Sequence, residues 1–167
     1  MKRDVSIYFD IITSLKTTGE VESFVGEIDT LMLKFFESEE VSPEKMLDSI
    51  SEGSSLKIRQ VFAKNNLNFN NRETVSKFFK TLKELIKKLK AIKIVLAFDP
   101  SAKTIENIHN FITDSLGIGY ILEIEVFREI LAGAIVIFNG KYIDFSLRKR
   151  IEDTFKEKAD QIVSAIG

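Results

Sequence analysis

The sequence predicts an α+β protein that is mainly α, with an N-terminal amphipathic helical bundle and a small C-terminal α/β domain. Apolar residues recur every three or four positions through residue 92, which is the spacing of a buried helix face. A β-branched apolar run, Ile94–Phe98, follows, and further on Asn139-Gly140 separates two apolar segments. Asn-Gly at such a place predicts a β-hairpin, because both central residues of a type I′ turn need positive φ. We place the domains at 1–92 and 93–167.

The composition favours a soluble globular chain and excludes thiol chemistry. Hydrophobic residues make up 44% and charged residues 29% of the 167 residues, and there is no cysteine. Disulfides, zinc–thiolate sites and iron–sulfur clusters are therefore excluded. No apolar run approaches the ~20 residues that span a bilayer. Lys2-Arg3 is followed by Asp4 and Asp10 without a small-residue cleavage site, so we expect a cytoplasmic-facing chain that meets a membrane only through a partner.

Five helices are expected in the bundle. The first two are predicted at Val5–Leu15 and Val21–Phe36, and Thr17-Thr18-Gly19 is the break between them. The third is short, with Ser42 as N-cap and Pro43 at its first position, and it ends near Gly53. The fourth is predicted at Ser54–Lys64. The fifth has the clearest stripe of the chain, with lysines on its other face. Its apolar positions are Val75, Phe78, Phe79, Leu82, Leu85, Ile86, Leu89 and Ile92.

The C-terminal domain alternates strands and helices. Ile94–Phe98 is predicted as a buried strand, and Ser101 caps a helix that runs to Leu116, with Ile105, Ile108, Phe111 and Ile112 facing inward. A strand with one wet face covers Tyr120–Phe127. The hairpin strands are predicted between Ile130 and Asp144, and the last helix at Leu147–Ala165.

Charge is segregated along the bundle. Glu20–Glu52 holds ten acidic and two basic residues, a net of −8, whereas Leu56–Lys93 holds eleven basic and two acidic residues, a net of +9. Complementary or solvated helix faces explain this pattern most simply. A basic surface for nucleic acid or anionic lipid is the alternative.

The residues that could carry chemistry are few. Asp99–Thr104 follows a strand but lacks the glycines of a phosphate loop, and Pro100 removes a backbone donor. His109 has no cysteine or His/Glu cluster around it, so we expect a surface or partly buried histidine rather than a metal ligand. Glu123 and Glu125 are interpreted as the wet face of a strand rather than as an acid–base pair. We expect no enzyme, no cofactor and no metal.

The segment around the hairpin carries a resemblance. Ala132-Gly133, the strand Ala134–Phe138, the turn Asn139-Gly140 and the run Asp144-Phe145-Ser146-Leu147-Arg148 form it. This pattern resembles the C-terminal signature of the delta subunit of F-type ATP synthases, the oligomycin-sensitivity-conferring protein of mitochondria. That family carries a glycine pair, an apolar strand, a turn and Asp-x-Ser-(Val/Leu)-Arg before a charged helix. Ala132 stands in place of its first glycine.

The resemblance implies a mechanical, non-catalytic function. The helical domain would hold the N-terminal helices of alpha subunits, and the C-terminal domain would meet the b-type stalk helices. Gly133, Asn139, Gly140, Asp144, Ser146 and Arg148 are then structural, through the turn, close packing, capping and a local ion pair. Candidate partner-docking residues are Lys80, Lys83, Lys87, Phe127 and Arg128.

Other hypotheses stay open at this point. A stand-alone adaptor could bind helices of an unrelated partner. A nucleic-acid or anionic-membrane binder would use the basic segment of residues 56–93, and its affinity would fall steeply with salt. The third hypothesis is a small enzyme that binds its substrate through residues that form no recognisable motif.

Overall fold

The computed structural model describes residues 6–37 and 43–166, and the side chains at 36, 37, 43 and 157–166 are outside the description. The chain forms two compact units. One comprises the chain up to Lys90 together with Leu116–Ile121, and the other comprises Ala91–Ser115 and the chain from Leu122 onward. We call them the helical unit and the α/β unit.

The helical unit contains five α-helices among the described residues. They are α1 (Phe9–Ser14) after a 3₁₀ turn at Ser6–Tyr8, α2 (Thr18–Glu37), α3 (Pro43–Met46) followed by a 3₁₀ turn at Leu47–Ser49, α4 (Glu52–Lys64) and α5 (Arg72–Ile86). Side chains cap three of them: Thr17 Oγ1 accepts the Glu20 N–H at 3.2 Å, Ser51 Oγ accepts the Ser54 N–H at 3.4 Å, and Asn71 Oδ1 accepts the Thr74 N–H at 3.0 Å. The predicted N-cap Ser42 lies outside the described residues.

The core of this unit is made by the predicted apolar stripes. Ile28 on α2, Ile58 on α4 and Leu82 on α5 are completely buried. Aromatic rings join the helices, since Phe62 stacks on Phe69 with ring centres 3.9 Å apart and meets Phe78 edge to face at 4.8 Å. The helical bundle is therefore confirmed.

The α/β unit is built on a four-stranded mixed sheet in the order β2-β1-β3-β4. Its elements in chain order are β1 (Lys90–Leu96), α6 (Ala102–Leu116), β2 (Tyr120–Val126), β3 (Ala134–Phe138), β4 (Lys141–Asp144) and α7 (Leu147–Ile166). β1 pairs antiparallel with β3, and β3 with β4. β1 and β2 run parallel, with hydrogen bonds from Lys90 N–H to Gly119 O at one end and from Phe127 N–H to Leu96 O at the other.

Two local predictions of this unit are confirmed. Asn139 (φ 50°) and Gly140 (φ 73°) form the two-residue turn between β3 and β4, with positive φ at both positions. Ser101 caps α6, because its Oγ accepts the Thr104 N–H at 3.2 Å. The terminal helix begins at Leu147 as expected.

Several predicted boundaries are wrong. The fifth helix ends at Ile86 rather than near Ile92, and β1 covers Lys90–Leu96 rather than Ile94–Phe98. Ile92 continues the helical spacing by coincidence, since it is buried on a strand. The fourth helix begins at Glu52, two residues before the predicted start, because Ser51 rather than a later residue caps it. The first hairpin strand, by contrast, covers Ala134–Phe138, the bounds that the resemblance implies, and residues 130–133 before it form a loop.

Two burial predictions for α6 are also wrong. Phe111 was expected to face inward, but its exposed fraction is 72%. His109 was expected at the surface or partly buried, whereas it is only 6% exposed. Positions 108 and 112 lie on the same helical face as 105 and 109, so the buried stripe is rotated away from residue 111.

Candidate docking surfaces

The start of α7 is fixed by a tight junction with the loop before β3. The Leu147 N–H is shared between the carbonyl oxygens of Leu131 (3.0 Å) and Ala132 (2.9 Å). A Cβ on Gly133 would lie 2.5 Å from Phe145 O and 2.9 Å from Ser146 Cα, and Gly133 has φ 101°. Only glycine fits there, both in backbone conformation and in space.

Asp144 and Ser146 form two consecutive hydrogen bonds at this junction. Asp144 Oδ1 accepts the Ser146 N–H at 2.8 Å, and Ser146 Oγ in turn accepts the Lys149 N–H at 3.3 Å, one of the free donors of the first turn of α7. Hydrogen bonds from the Ser146 side chain and backbone lower the pKa of Asp144. Ser146 is therefore the cap, and Asp144 holds the capping residue. Arg148 pairs with Glu152 one turn on, at 3.2 Å.

One end of the sheet collects exposed apolar side chains. β1 and β2 end there and β3 begins there, since Phe127 N–H bonds to Leu96 O and Ala97 N–H to Gly133 O at 3.3 Å. We name this surface the strand-end patch, and its exposed members are Phe98, Phe127, Leu131, Phe145 and Leu147. Of the predicted docking residues, Phe127 lies in the patch and exposed Arg128 follows it.

The first turns of α7 carry an apolar stripe that nothing in the described chain buries. Leu147, Ile151 and Phe155 stand four residues apart on one face, and all three are exposed, Phe155 by 70%. Leu147 makes this stripe continuous with the strand-end patch. Arg150 borders the stripe, and no carboxylate among the described residues pairs with it. Sequence reasoning missed the stripe, although its four-residue spacing is a signal that could have found it.

The three lysines predicted as docking residues, Lys80 and Lys83 on α5 and Lys87 directly after it, differ from one another. Lys80 and Lys87 are exposed. Lys83 is partly buried and forms an ion pair with Asp29 of α2. Because this ion pair compensates the charge of Lys83 within the bundle, Lys83 is a weaker candidate for docking a partner than Lys80 and Lys87.

Part of the charge segregation is internal pairing. Arg59 of the basic segment bonds Glu44 at 3.0 Å and Asp48 at 2.8 Å, both in the acidic segment. With the Lys83–Asp29 pair, these contacts join α4 and α5 to the acidic part of the bundle. The complementary helix faces predicted from the sequence are thus present.

The two carboxylates on the wet face of β2 contact a lysine of the neighbouring strand. Glu123 and Glu125 both approach Lys93 of the neighbouring strand, at 3.7 Å and 2.6 Å. The hydrogen bond and charge of Glu125 raise the pKa of Lys93. Among the described residues no group of three or more His, Asp or Glu side chains is placed to hold a metal ion. No helix in the described ranges is long and apolar enough to cross a bilayer.

A large exposed apolar surface beside a tightly held helix is typical of a protein that works by binding other proteins. The comparison with known families is specific. Residues 20–157 match the family described as ATP synthase delta (OSCP) subunit. The chain belongs to this family, and it is a non-catalytic peripheral-stalk subunit of an F-type ATP synthase. No curated protein matches the chain.

Proposed function

We propose that this chain is the stator link of a proton-translocating F-type ATP synthase, joining the catalytic head to the b-type stalk helices at the cytoplasmic face of the cell membrane. Family membership supports this function. Rotary catalysis needs such a link, because a head that turned with the rotor could not convert proton flow into ATP. The chain holds its partners together against the torque of rotation, and it catalyses no reaction itself.

The α/β unit is proposed to dock the stalk helices. The single observation that carries this is the unburied stripe of Leu147, Ile151 and Phe155, continuous with the strand-end patch. An amphipathic stalk helix would bury these side chains as helix-in-groove anchors. Each large apolar side chain removed from water contributes about 1.5–3 kcal/mol. The junction at Gly133 and Ser146 then holds α7 in place while it carries load.

The helical unit is proposed to hold N-terminal helices of alpha subunits. Exposed Lys80 on α5 and exposed Lys87 directly after it are the candidate contacts, and the internally paired Lys83 contributes to the bundle instead. The membrane is reached only through the assembled complex.

The test is affinity purification of the tagged full chain from gently solubilised membranes of its host. We expect alpha, beta and b-type subunits in stoichiometric amounts. The doubly substituted chain Ile151→Asp, Phe155→Asp should retain alpha and beta but lose the b-type subunits. Lys156→Asp, also exposed on α7 but outside the stripe, should retain all three.

The unfolding midpoints of these variants should stay close to that of the wild type, because the substituted side chains are exposed. Recovery of unrelated soluble proteins or nucleic acid, without ATP synthase subunits, would overturn the proposal in favour of a stand-alone adaptor or a nucleic-acid binder. Retention of the b-type subunits by the double variant would reject the stripe as their docking site.

A further inference from the structure

The two-residue turn between β3 and β4 holds a chemically labile pair. Asn139 is the only asparagine in the sequence that is followed by glycine. Asparagine deamidates when the backbone nitrogen of the next residue attacks the side-chain carbonyl carbon, Cγ, and glycine has no Cβ to hinder that approach. Asn139 and Gly140 are both exposed, so water reaches the two reacting groups.

The contacts of the turn leave both reacting groups open. Among the described residues, none forms a hydrogen bond with the Asn139 side-chain amide, and none accepts the Gly140 N–H. A Cβ built on Gly140 would meet no atom within 4 Å. The pair is held only by the hairpin itself, in which the flanking residues Phe138 and Lys141 are paired across the two strands.

We propose that Asn139 is a site of spontaneous deamidation, and that its isoaspartyl product loosens β4 and the start of α7. The Gly140 nitrogen forms a bond to Asn139 Cγ, and the bond from Cγ to the side-chain nitrogen breaks. That nitrogen leaves as ammonia, with the proton that the Gly140 nitrogen gives up, and a five-membered succinimide ring remains. Water then adds to one of the two carbonyl carbons of the ring and opens it. The reaction needs water and no oxidant, reductant or enzyme.

The two products of ring opening differ in their effect on the turn. Hydrolysis at Cγ gives aspartate, and Asp-Gly suits a type I′ turn as well as Asn-Gly does. Hydrolysis at the backbone carbonyl carbon gives isoaspartate, in which the main chain runs through Cβ and Cγ and is one carbon longer. The length of the turn fixes the pairing of Phe138 with Lys141, so the isoaspartyl chain cannot keep that pairing.

β4 connects this turn to the start of α7. Its last residue, Asp144, accepts the Ser146 N–H at 2.8 Å, and the Phe145 N–H donates to Ala134 O, also at 2.8 Å. These bonds hold Ser146, the cap of α7, beside the start of β3. β4 has only four residues and pairs with β3 alone, so a longer turn displaces the whole strand. The change therefore reaches the first turn of α7.

The folded turn also controls the rate. Positive φ at Asn139 and Gly140 gives the type I′ conformation. The succinimide ring fixes the Asn139 backbone in a different conformation, so the turn must open before the ring closes. We therefore expect slower deamidation in the folded chain than in the unfolded chain.

The experiment ages the full chain at neutral and alkaline pH, with and without guanidinium chloride. Peptide mapping by mass spectrometry follows each asparagine, and enzymatic methylation of isoaspartyl groups identifies the longer product. Asn110, exposed on α6 and followed by Phe111, is the internal control. We expect conversion at Asn139 to exceed that at Asn110 several-fold and to be faster in denaturant. Amide hydrogen exchange of β4 and of the first turn of α7 should be about tenfold or more faster in the isoaspartyl chain.

Two variants separate the longer chain from other effects of ageing. Asn139→Gly keeps a type I′ turn and should form no isoaspartate there, while freshly prepared Asn139→Asp adds the charge alone and should exchange like the wild type. Conversion at Asn139 no faster than at Asn110 would overturn the proposal. So would isoaspartate at position 139 with unchanged exchange of β4, or equal loss of protection in aged Asn139→Gly.

Discussion

At the scale of single residues, two neighbouring positions before β3 share a left-handed backbone conformation but differ in the space that is open to a side chain. Ala132 and Gly133 both have positive φ, 49° and 101°. Ala132 bears a side chain in the left-handed region, where an L-residue is strained by about 1–2 kcal/mol. Gly133 has no side chain, and the backbone of Phe145 and Ser146 occupies the space that one would need. Substitutions at these two positions are therefore expected to change stability in opposite directions.

Gly133→Ala should destabilise the chain by about 1–3 kcal/mol or more, because the new Cβ meets backbone atoms and φ is unfavourable. Ala132→Gly should stabilise it by up to about 1 kcal/mol, since relief of strain exceeds the added entropy of the unfolded chain. Chemical denaturation followed by circular dichroism measures both. Gly26→Ala is the control for glycine replacement itself, because Gly26 lies within α2 with open space around its Cβ position. Gly133→Ala as stable as the wild type would contradict the close packing.

At the scale of elements, Glu27 links α2 to the start of α4. Its Oε1 accepts the Ser51 N–H at 3.3 Å, where the free donors of α4 favour negative charge. Burial raises the pKa of Glu27, but hydrogen bonds from Ser54 and Ser51 and the charge of Lys57 outweigh it, and the pKa lies below the ordinary 4.5. A carboxyl whose pKa is lower in the folded state stabilises the fold above its unfolded pKa. That contribution disappears as the pH falls through the folded value.

Glu27→Gln should therefore cost about 0.3–1 kcal/mol at neutral pH. The difference from the wild type should shrink as the pH is lowered below 4.5. Urea unfolding at a series of pH values measures this. Glu22→Gln removes a carboxylate from an exposed position of the same helix and serves as the control. A difference that persists undiminished in acid would show that Glu27 acts by packing and not by charge.

Elements also show which features the sequence could predict. The hairpin turn and the α6 cap were predicted because each depends on neighbouring residues only, as with Asn139-Gly140 and Ser101. The end of α5 was not, because Leu89 and Ile92 keep helical spacing while strand pairing beyond residue 90 depends on distant residues. The same limit applies to docking. Spacing finds the apolar face of α7, but only the fold shows that Leu147, Ile151 and Phe155 are left exposed.

At the scale of the whole molecule, charge and apolar surface are distributed differently over the two units. The helical unit buries its apolar stripes and offers exposed lysines, among them Lys80 and Lys87, whereas the α/β unit offers exposed apolar side chains on α7 and at the strand ends. The exposed apolar surface is the one that we propose for the stalk helices, whose binding would then depend on the apolar area that is buried. The two units therefore present surfaces of different chemistry.

The position at which the α/β unit begins can be tested with fragments of the chain. The predicted boundary at residue 93 falls inside β1, which begins at Lys90 and includes Ile92, a residue only 2% exposed. A fragment of residues 93–167 loses the burial of Ile92, while a fragment of residues 89–167 keeps all of β1. We expect the shorter fragment to be less stable by about 1.5–3 kcal/mol, measured by chemical denaturation. Ile92→Ala in the longer fragment is the matched control and should reproduce most of that loss, because it removes the buried side chain without shortening the strand. Equal stability of the two fragments would show that the folding boundary lies at residue 93 and that the first residues of β1 add nothing to the α/β unit.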